Sequence, residues 1–516
     1  MGSSRLISRR TLLRATGTVG ASGFLSSWAS SRPALAAPSV AAQQTLGFTI
    51  IDSAEPTNLD ARSYYFTPAY SVVWRINETL LHHDTMTGEL HPQLATSYKI
   101  IDDRTYEFEL RPDVRWHDGT PLTPDDIEFS YMQPWLDPEA VYVERVEKVS
   151  DTTVRVVTTE PFGFFLVQDV ALNRRILPKH LLDGVPLDQV WEHPIGTGPF
   201  KFVEWNRGER VRVAPNEDYW GAKPIIDPLD FRAVTEAATR LVNLEAGDAD
   251  LVMDPPVADL TRLADSDEVE IINSPGLGYD YLAMNLGNAN LAKLEVRQAV
   301  NYAINKDALL QLYPEGFAVR TYGPLSNHSW AVNTDVPHYD HDPAKAKQLL
   351  GQAGVPDGFD VSMKTTAEYA EMSQAIQQDL AAVGINVKIN VLEQATFLDQ
   401  IRAGDSEMYL FGWANIVDPD HMYYVFSSEQ QGKDRMNFAN ERLDALFQQG
   451  RTTVEQEQRL PIYHEAQAII VEEGPMVFLL TRGTLRGYRE DRWTGFQPQP
   501  LPTDVLTYLN TVQPRG

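Results

Sequence analysis

Few side chains in this chain have the types and spacing that chemistry needs. His82-His83-Asp84 with His91 is the densest histidine cluster. Imidazole and carboxylate donors suit a transition metal, but successive residues of an extended strand point to opposite faces, so no metal site is expected there. Asp418-Pro419-Asp420-His421 also offers oxygen and nitrogen donors. Its proline presets a turn, and the expected arrangement is a turn whose acids face solvent. Gly196-Thr197-Gly198-Pro199 and Gly276-Leu277-Gly278-Tyr279 lack the spacing of a phosphate cradle. No G-x-S-x-G elbow, H-E-x-x-H helix, P-loop or G-x-G-x-x-G before a helix occurs, and His464-Glu465 has no second histidine four residues on. The reading is therefore of no catalytic residue, no metal and no cofactor. What stands out is aromatic: Tyr64-Tyr65-Phe66, Tyr70 and Trp74 early, and Trp413, Tyr423, Tyr424 and Phe426 late. Rings with polar tips are the usual lining of a small-ligand cleft.

Composition narrows the classes further. The 516 residues carry 71 acidic against 44 basic side chains, a formal charge of −27, and no cysteine. Without cysteine there is no disulfide framework, thiolate zinc site, iron–sulfur cluster, catalytic thiol or lipid-bearing thiol. Strong acidity argues against nucleic-acid partners, whose binding releases counterions from a basic surface.

The chain must next supply elements that position the aromatic residues. Residues 1–36 hold five arginines, including Arg9-Arg10 in an S-R-R-x-L-L pattern. A weakly apolar stretch and a Pro33-Ala34-Leu35-Ala36 cleavage pattern follow. This reads as a signal peptide resembling the twin-arginine (Tat) export address. Its removal takes away five arginines and no acid, which deepens the charge from −27 to −32. The exported chain is expected to be periplasmic, soluble and without a lipid anchor. Residues 37–45 read as a linker. Strand patterns follow at 46–51, 105–110, 154–157 and 210–213, where apolar residues alternate with polar ones. Helical spacing dominates later: 294–309, a helix through Met372–Val383 stopped by Gly384, a helix around 397–401 ending at Gly404, and 454–471. Strands are expected at 385–391, 408–411 and 476–480, and an irregular, proline-rich tail after Arg486. The order implies an α/β protein with a strand-rich first half and a covered-sheet second half.

Residues 105–131, TYEFELRPDVRWHDGTPLTPDDIEFSY, resemble the segment by which the family 5 solute-binding proteins of ABC importers are recognised, the dipeptide, oligopeptide and nickel receptors. GTGPFKFV at 196–203, NEDYW at 216–220, VRQAVNYA at 296–303, DPAKAKQLL at 342–350, GINV at 384–387 and Gly412-Trp413 match in the same order, so the resemblance covers about residues 46–510. It implies a two-lobed periplasmic binding protein fold with an extra subdomain inserted in lobe one. Carried onto this chain, lobe one is 46–76, 192–283 and 480–516, the insert 77–191, and lobe two 284–479, with hinge crossings near Asn285 and Leu480. Implied ligand contacts are Tyr64, Tyr65, Thr197 and Tyr279 from lobe one and Trp413, Asn415 and His421 from lobe two. Implied partners are a small polar solute or short peptide and an importer of two permeases and two ATPases, with the receptor a monomer and no nucleic acid bound.

One departure bears on the solute. The family's peptide receptors share G-W-x-x-D, whose aspartate pairs with the peptide α-ammonium; here the run is Gly412-Trp413-Ala414-Asn415-Ile416. A one-residue deletion would align Asp418-Pro419 with a later Asp-Pro of the family and leave the anchor position without a carboxylate. A buried ammonium without its carboxylate is costly. The alternatives to a free-amine dipeptide are a longer or modified peptide, an opine, a sugar conjugate or a nickel-type metal chelate. Outside the receptor class stands an exported hydrolase, for which no nucleophile–base pair or metal constellation is found.

Overall fold

The computed structural model describes residues 46–62, 67–85, 87–132, 142–186, 189, 192–430, 435–499 and 512–515. Within them, three sheets organise the chain. A seven-stranded sheet has the order Val269–Ser274, Thr484–Arg489, Leu251–Met253, Leu46–Asp52, Ile226–Ala233, Arg210–Pro215, Phe200–Asn206. A five-stranded sheet has the order Ile385–Leu392, Phe359–Thr366, Met408–Trp413, Tyr279–Met284, Met476–Phe478. A four-stranded antiparallel sheet, Ala95–Asp102, Thr105–Leu110, Thr153–Thr158, Val143–Lys148, builds a separate core from residues of the 80–176 stretch. No described helix is long and apolar enough to cross a membrane.

The local rules hold where the pattern is strong. Tyr106, Phe108 and Leu110 are buried and their neighbours are not, as the period of two requires. The helix Ala370–Ala381 gives way at Gly384, whose φ of 95° suits glycine, and the chain enters Ile385–Leu392 directly. Glu393 caps the next helix, Gln394–Arg402, by accepting from the backbone N–H groups of Ala395 and Thr396.

Three expectations are corrected. The helical stretch 294–309 is two helices, Leu294–Ala303 and Lys306–Leu310, because Asn305 leaves helical geometry and its side chain caps the second by accepting from Ala308 N–H. The tail after Arg486 is not irregular at once. Thr484–Arg489 is an inner strand of the seven-stranded sheet, paired with both Val269–Ser274 and Leu251–Met253. Finally, Tyr279–Met284 pairs with Met408–Trp413 and Met476–Phe478, so the chain passes between the two large sheets around residues 275–278 and again at Gly483. Tyr279 therefore belongs to the five-stranded sheet rather than to the unit where the sequence reading put it.

These crossings are tightly packed. A β-carbon on Gly276 would lie 1.9 Å from the Arg482 carbonyl oxygen. Thr481 Oγ1 donates to the Gly278 carbonyl at 2.9 Å, and Arg482 pairs with buried Asp280 at 2.8 Å. The π-helical segment Phe165–Asn173 reaches across to the same region: Leu172 and Leu277 bury against each other, with Trp74, Val167 and Val417 around them.

Candidate functional site

The site grows from the end of the strand Met408–Trp413. Tyr279, Tyr281 and Ala283 face the same side as their partners Trp413, Phe411 and Tyr409, while Asp280, Leu282 and Met284 face the other. Beyond Trp413 the backbone turns at Asn415, a non-glycine residue at φ 59°, and Ile416 N–H donates to the Leu277 carbonyl at 3.1 Å. That turn brings the helix His421–Phe426 back over the strand end, so the His421 ring meets half-buried Trp413 edge-on at 4.9 Å and Tyr424 lies 6.0 Å from it. Arg435, 7% exposed, places its guanidinium 5.8 Å from the centre of the Trp413 ring.

Three buried polar atoms at this end of the sheet have no hydrogen-bond partner among the described residues: Tyr279 Oη, Trp413 Nε1 and His421 Nε2. Each such atom costs about 1–3 kcal/mol if nothing answers it. Burial pushes the His421 imidazole down to about 4, so it is neutral at ordinary pH. Burial pushes the Tyr409 hydroxyl up to about 12, and the Arg435 charge pulls against that shift.

Trp413 and His421 are brought together, as the sequence reading places them, with Asn415 exposed at the turn between. Tyr64 and Tyr65 lie outside the described residues. Thr197 is buried away from these rings; its hydroxyl donates to Glu78 Oε2 at 2.8 Å, and Tyr219 Oη and Trp220 Nε1 donate to the same carboxylate. Burial raises the Glu78 carboxyl, and these donors oppose it. Thr197 thus holds the junction of the inserted unit. Tyr279, 1% exposed, packs into the core against Phe478. Arg435 and Tyr281 escaped the sequence reading. Tyr281 could have been found as the residue two places after Tyr279 on the same strand face, whereas nothing local marks Arg435.

The run from Asp418 to His421 also departs from expectation. Its acids do not face solvent. Asp418 is 6% exposed and takes two bonds from Arg459, at 2.9 and 2.7 Å, and Arg459 also donates to the Gly163 carbonyl at 3.2 Å. Asp420 sits 3.4 Å from Arg451 and accepts from Tyr463 Oη at 3.2 Å. The turn is instead a buried ion-pair joint between the five-stranded unit and the four-stranded one. No group of three or more histidine, aspartate or glutamate residues that could hold a metal occurs among the described residues; His82 and His91 simply stack across a hairpin, 6.4 Å apart.

Burial pushes the Asp420 carboxyl from 3.8 up to about 7, against the pull of Arg451. Asp420 therefore keeps a proton in the folded chain that it has lost in the unfolded chain between about pH 4 and pH 7, so its own contribution to stability falls as pH rises through that window, while buried His421, held at about 4, contributes in the opposite sense. Asp420→Asn is expected to remove this falling contribution, so that the variant's urea unfolding midpoint rises relative to that of the wild type as pH increases across the window. Equal slopes in both proteins would refute the assignment.

Residues 89–434 match the family described as bacterial extracellular solute-binding proteins, family 5, middle region. The chain belongs to the family 5 bacterial extracellular solute-binding proteins. It is 30% identical to the dipeptide-binding protein of Escherichia coli K12 over 456 residues, which cover 78% of this chain and 84% of that one. It is 28% identical to heme-binding protein A of Haemophilus influenzae, covering 84% of this chain and 85% of the relative. Among solved structures, the periplasmic binding protein DppA from Helicobacter pylori in complex with the peptide STSA superposes with a TM-score of 0.76 at 27% identity, covering 92% and 99% of the two chains. AppA from Bacillus subtilis with a nonapeptide gives 0.76 at 25%, covering 92% and 100%. The fold is the two-lobed periplasmic binding protein fold of family 5. The seven- and five-stranded sheets are its two mixed α/β layers, and Trp413 stands beside the crossings between them.

Proposed function

We propose that this chain is the periplasmic receptor of an ABC importer, which captures a peptide-like or other polar solute between two closing lobes and hands it to the permease. The observation that carries this reading is the shelf of Trp413, His421 and Tyr424, where Trp413 Nε1 and His421 Nε2 have no hydrogen-bond partner among the described residues, beside the crossings at 275–278 and Gly483. Rings supply apolar area and their polar tips orient the guest, the make-up of a small-ligand cleft. Hinged closure then buries the ligand and assembles the surface a permease reads, and the solute favours the closed form only if it contacts both lobes. Peptides are the ligands named for the dipeptide-binding relative and for the complexes with STSA and a nonapeptide.

In this reading residues 1–36 are a Tat signal peptide and 37–45 a linker. Residues 77–191 are the inserted subdomain of lobe one, and the receptor is a non-enzymatic monomer serving two permeases and two ATPases. The test is a thermal-shift and tryptophan-fluorescence screen of the purified protein against a library of two- to nine-residue peptides, with native mass spectrometry of the protein as isolated. A true ligand at about 100 times its Kd adds about 2.7 kcal/mol to stability. The reading fails if no peptide shifts the transition and no solute co-purifies, or if the protein turns over esters, peptides or glycosides.

A further inference from the structure

The charge at the lobe-two end of the cleft is reversed relative to what a free α-ammonium would require. By the G-W-x-x-D resemblance the place of that carboxylate falls at Ile416, which is 4% exposed and packed into the core. The nearest acids in sequence are committed elsewhere: Asp418 to Arg459, Asp420 to Arg451 and Tyr463. What this end holds instead is Arg435. It is 7% exposed, and among the described residues no carboxylate pairs with it and no hydrogen bond engages it; its guanidinium lies beside the Trp413 ring, and its charge is felt by the Tyr409 and Tyr281 hydroxyls. A cation over an indole is stabilised but keeps its charge. Beside it, Trp413 Nε1 is a buried hydrogen-bond donor with no acceptor among the described residues. A guanidinium and an indole N–H, neither hydrogen-bonded among the described residues, form the complement of an anion rather than of a cation.

The position is also rigid. Leu286 N–H donates to the carbonyl of Met436 at 2.7 Å, Asn437 Nδ2 donates to Asn285 Oδ1 at 2.7 Å, and Met436 and Phe438 are core residues. Arg435 is thus held by the residues that follow it, Met436 to Phe438, while its own head group is not engaged by a hydrogen bond among the described residues, which is what a preorganised anchor requires.

We propose that Arg435 is the anchor for a carboxylate of the bound solute, so that this receptor recognises the acid end of its cargo on the five-stranded lobe and does not require a free amine. The proposal rests on the receptor reading above and adds the chemical polarity of its ligand. Arginine's planar fork matches a carboxylate through two parallel bonds, which lysine cannot reproduce.

The test uses four forms of one Ala-Phe-Ala tripeptide, with free termini, N-acetylated, C-amidated and blocked at both ends, titrated calorimetrically into the wild-type protein, Arg435→Gln and Arg435→Lys. Circular dichroism establishes that the variants are folded. In wild type, acetylation is expected to leave affinity within a few-fold and amidation to lower it by on the order of 100-fold, the effect of removing one partner from a buried charged hydrogen bond. Arg435→Gln is expected to bind all four alike, at the amide's level, and Arg435→Lys to recover part of the discrimination. Native mass spectrometry supplies a second arm: solute retained by wild type is expected to bear an acidic group and to be lost from Arg435→Gln. Equal binding of acid and amide, or a retained solute without an acidic group, overturns the proposal. If no tripeptide binds but an acidic solute is retained and Arg435→Gln loses it, the peptide reading fails and the anchor stands. If nothing binds and nothing is retained, both fall.

Discussion

Arg459→Met is expected to lower the stability of the folded chain by about 3–5 kcal/mol, the cost of stranding one member of a buried ion pair. Arg459 and Asp418 are 3% and 6% exposed at their side chains, and the guanidinium fork meets both carboxylate oxygens. With Arg459 gone, Asp418 keeps a buried charge whose other recorded bond is from the Asp420 N–H at 2.9 Å. The same substitution removes the bond from Arg459 to the Gly163 carbonyl and leaves the return bond from Gly163 N–H to the Arg451 carbonyl, at 2.7 Å, as the polar tie at this joint. The double variant Arg459→Met with Asp418→Leu is expected to regain a large share of the loss, because pairs replaced together by apolar residues of similar volume are often close to neutral. Urea unfolding of the wild type, both single variants and the double variant measures the cycle. A cost below about 1 kcal/mol for Arg459→Met, typical of an exposed pair, would show that the joint is open to water.

Gly278→Ala is expected to be at least as damaging, at about 3 kcal/mol or more, and for a different reason. Its β-carbon would lie 1.9 Å from the Trp413 carbonyl oxygen and 2.8 Å from Ala414 Cα. Both are backbone atoms, so no side-chain rotation relieves the clash. Relief requires the crossing strand to move off the strand that carries Trp413, which disturbs the shelf as well as the fold. The expected result is a lowered unfolding midpoint together with a changed tryptophan emission spectrum. Gly88→Ala is the control. Gly88 also must be glycine by conformation, at φ 76°, but a β-carbon there meets nothing within 4 Å, so its cost is about 1 kcal/mol. Equal effects at the two positions would mean that the crossing yields more easily than its packing implies.

The contrast between those glycines shows what could be read before any tertiary contact was known. Gly88 sits in a hairpin turn, and Gly384 and Gly404 end helices; each answers a rule that operates within a few residues. The same is true of Thr105–Leu110, where alternation alone identifies the buried face, and of Ile385–Leu392 and Met408–Trp413. Trp413 and His421 were legible only through the family resemblance that the Gly412-Trp413 motif carries; the seven residues between them then fold so that the two rings meet. Thr484–Arg489 was not legible. Its arginines look like solvent-exposed residues, yet Arg486 is fully buried and Arg489 donates to the carbonyls of Leu244 and Glu245, partners about 240 residues away. Gly487, which locally suggests a break, is needed because a β-carbon would press to 2.8 Å from Leu244 Cδ2. Asp418 was misread for the same reason: an Asp-Pro-Asp turn is solvent-facing unless something distant supplies a cation, and Arg459 does.

By itself, the sequence determined the periodic elements, the absence of thiol chemistry, the strong acidity and, through its ordered motifs, the family. These depend on interactions of short range or on composition, and no distant partner can change them. Only the tertiary structure decided where the chain passes from one sheet to the other, that Thr197 braces a buried Glu78, that Asp418 is ion-paired with Arg459, and that Arg435 stands beside Trp413 with no hydrogen bond among the described residues. The value of a charge or hydroxyl at a site depends on what else lies within about 4 Å of it, and that is set by packing between segments far apart in sequence.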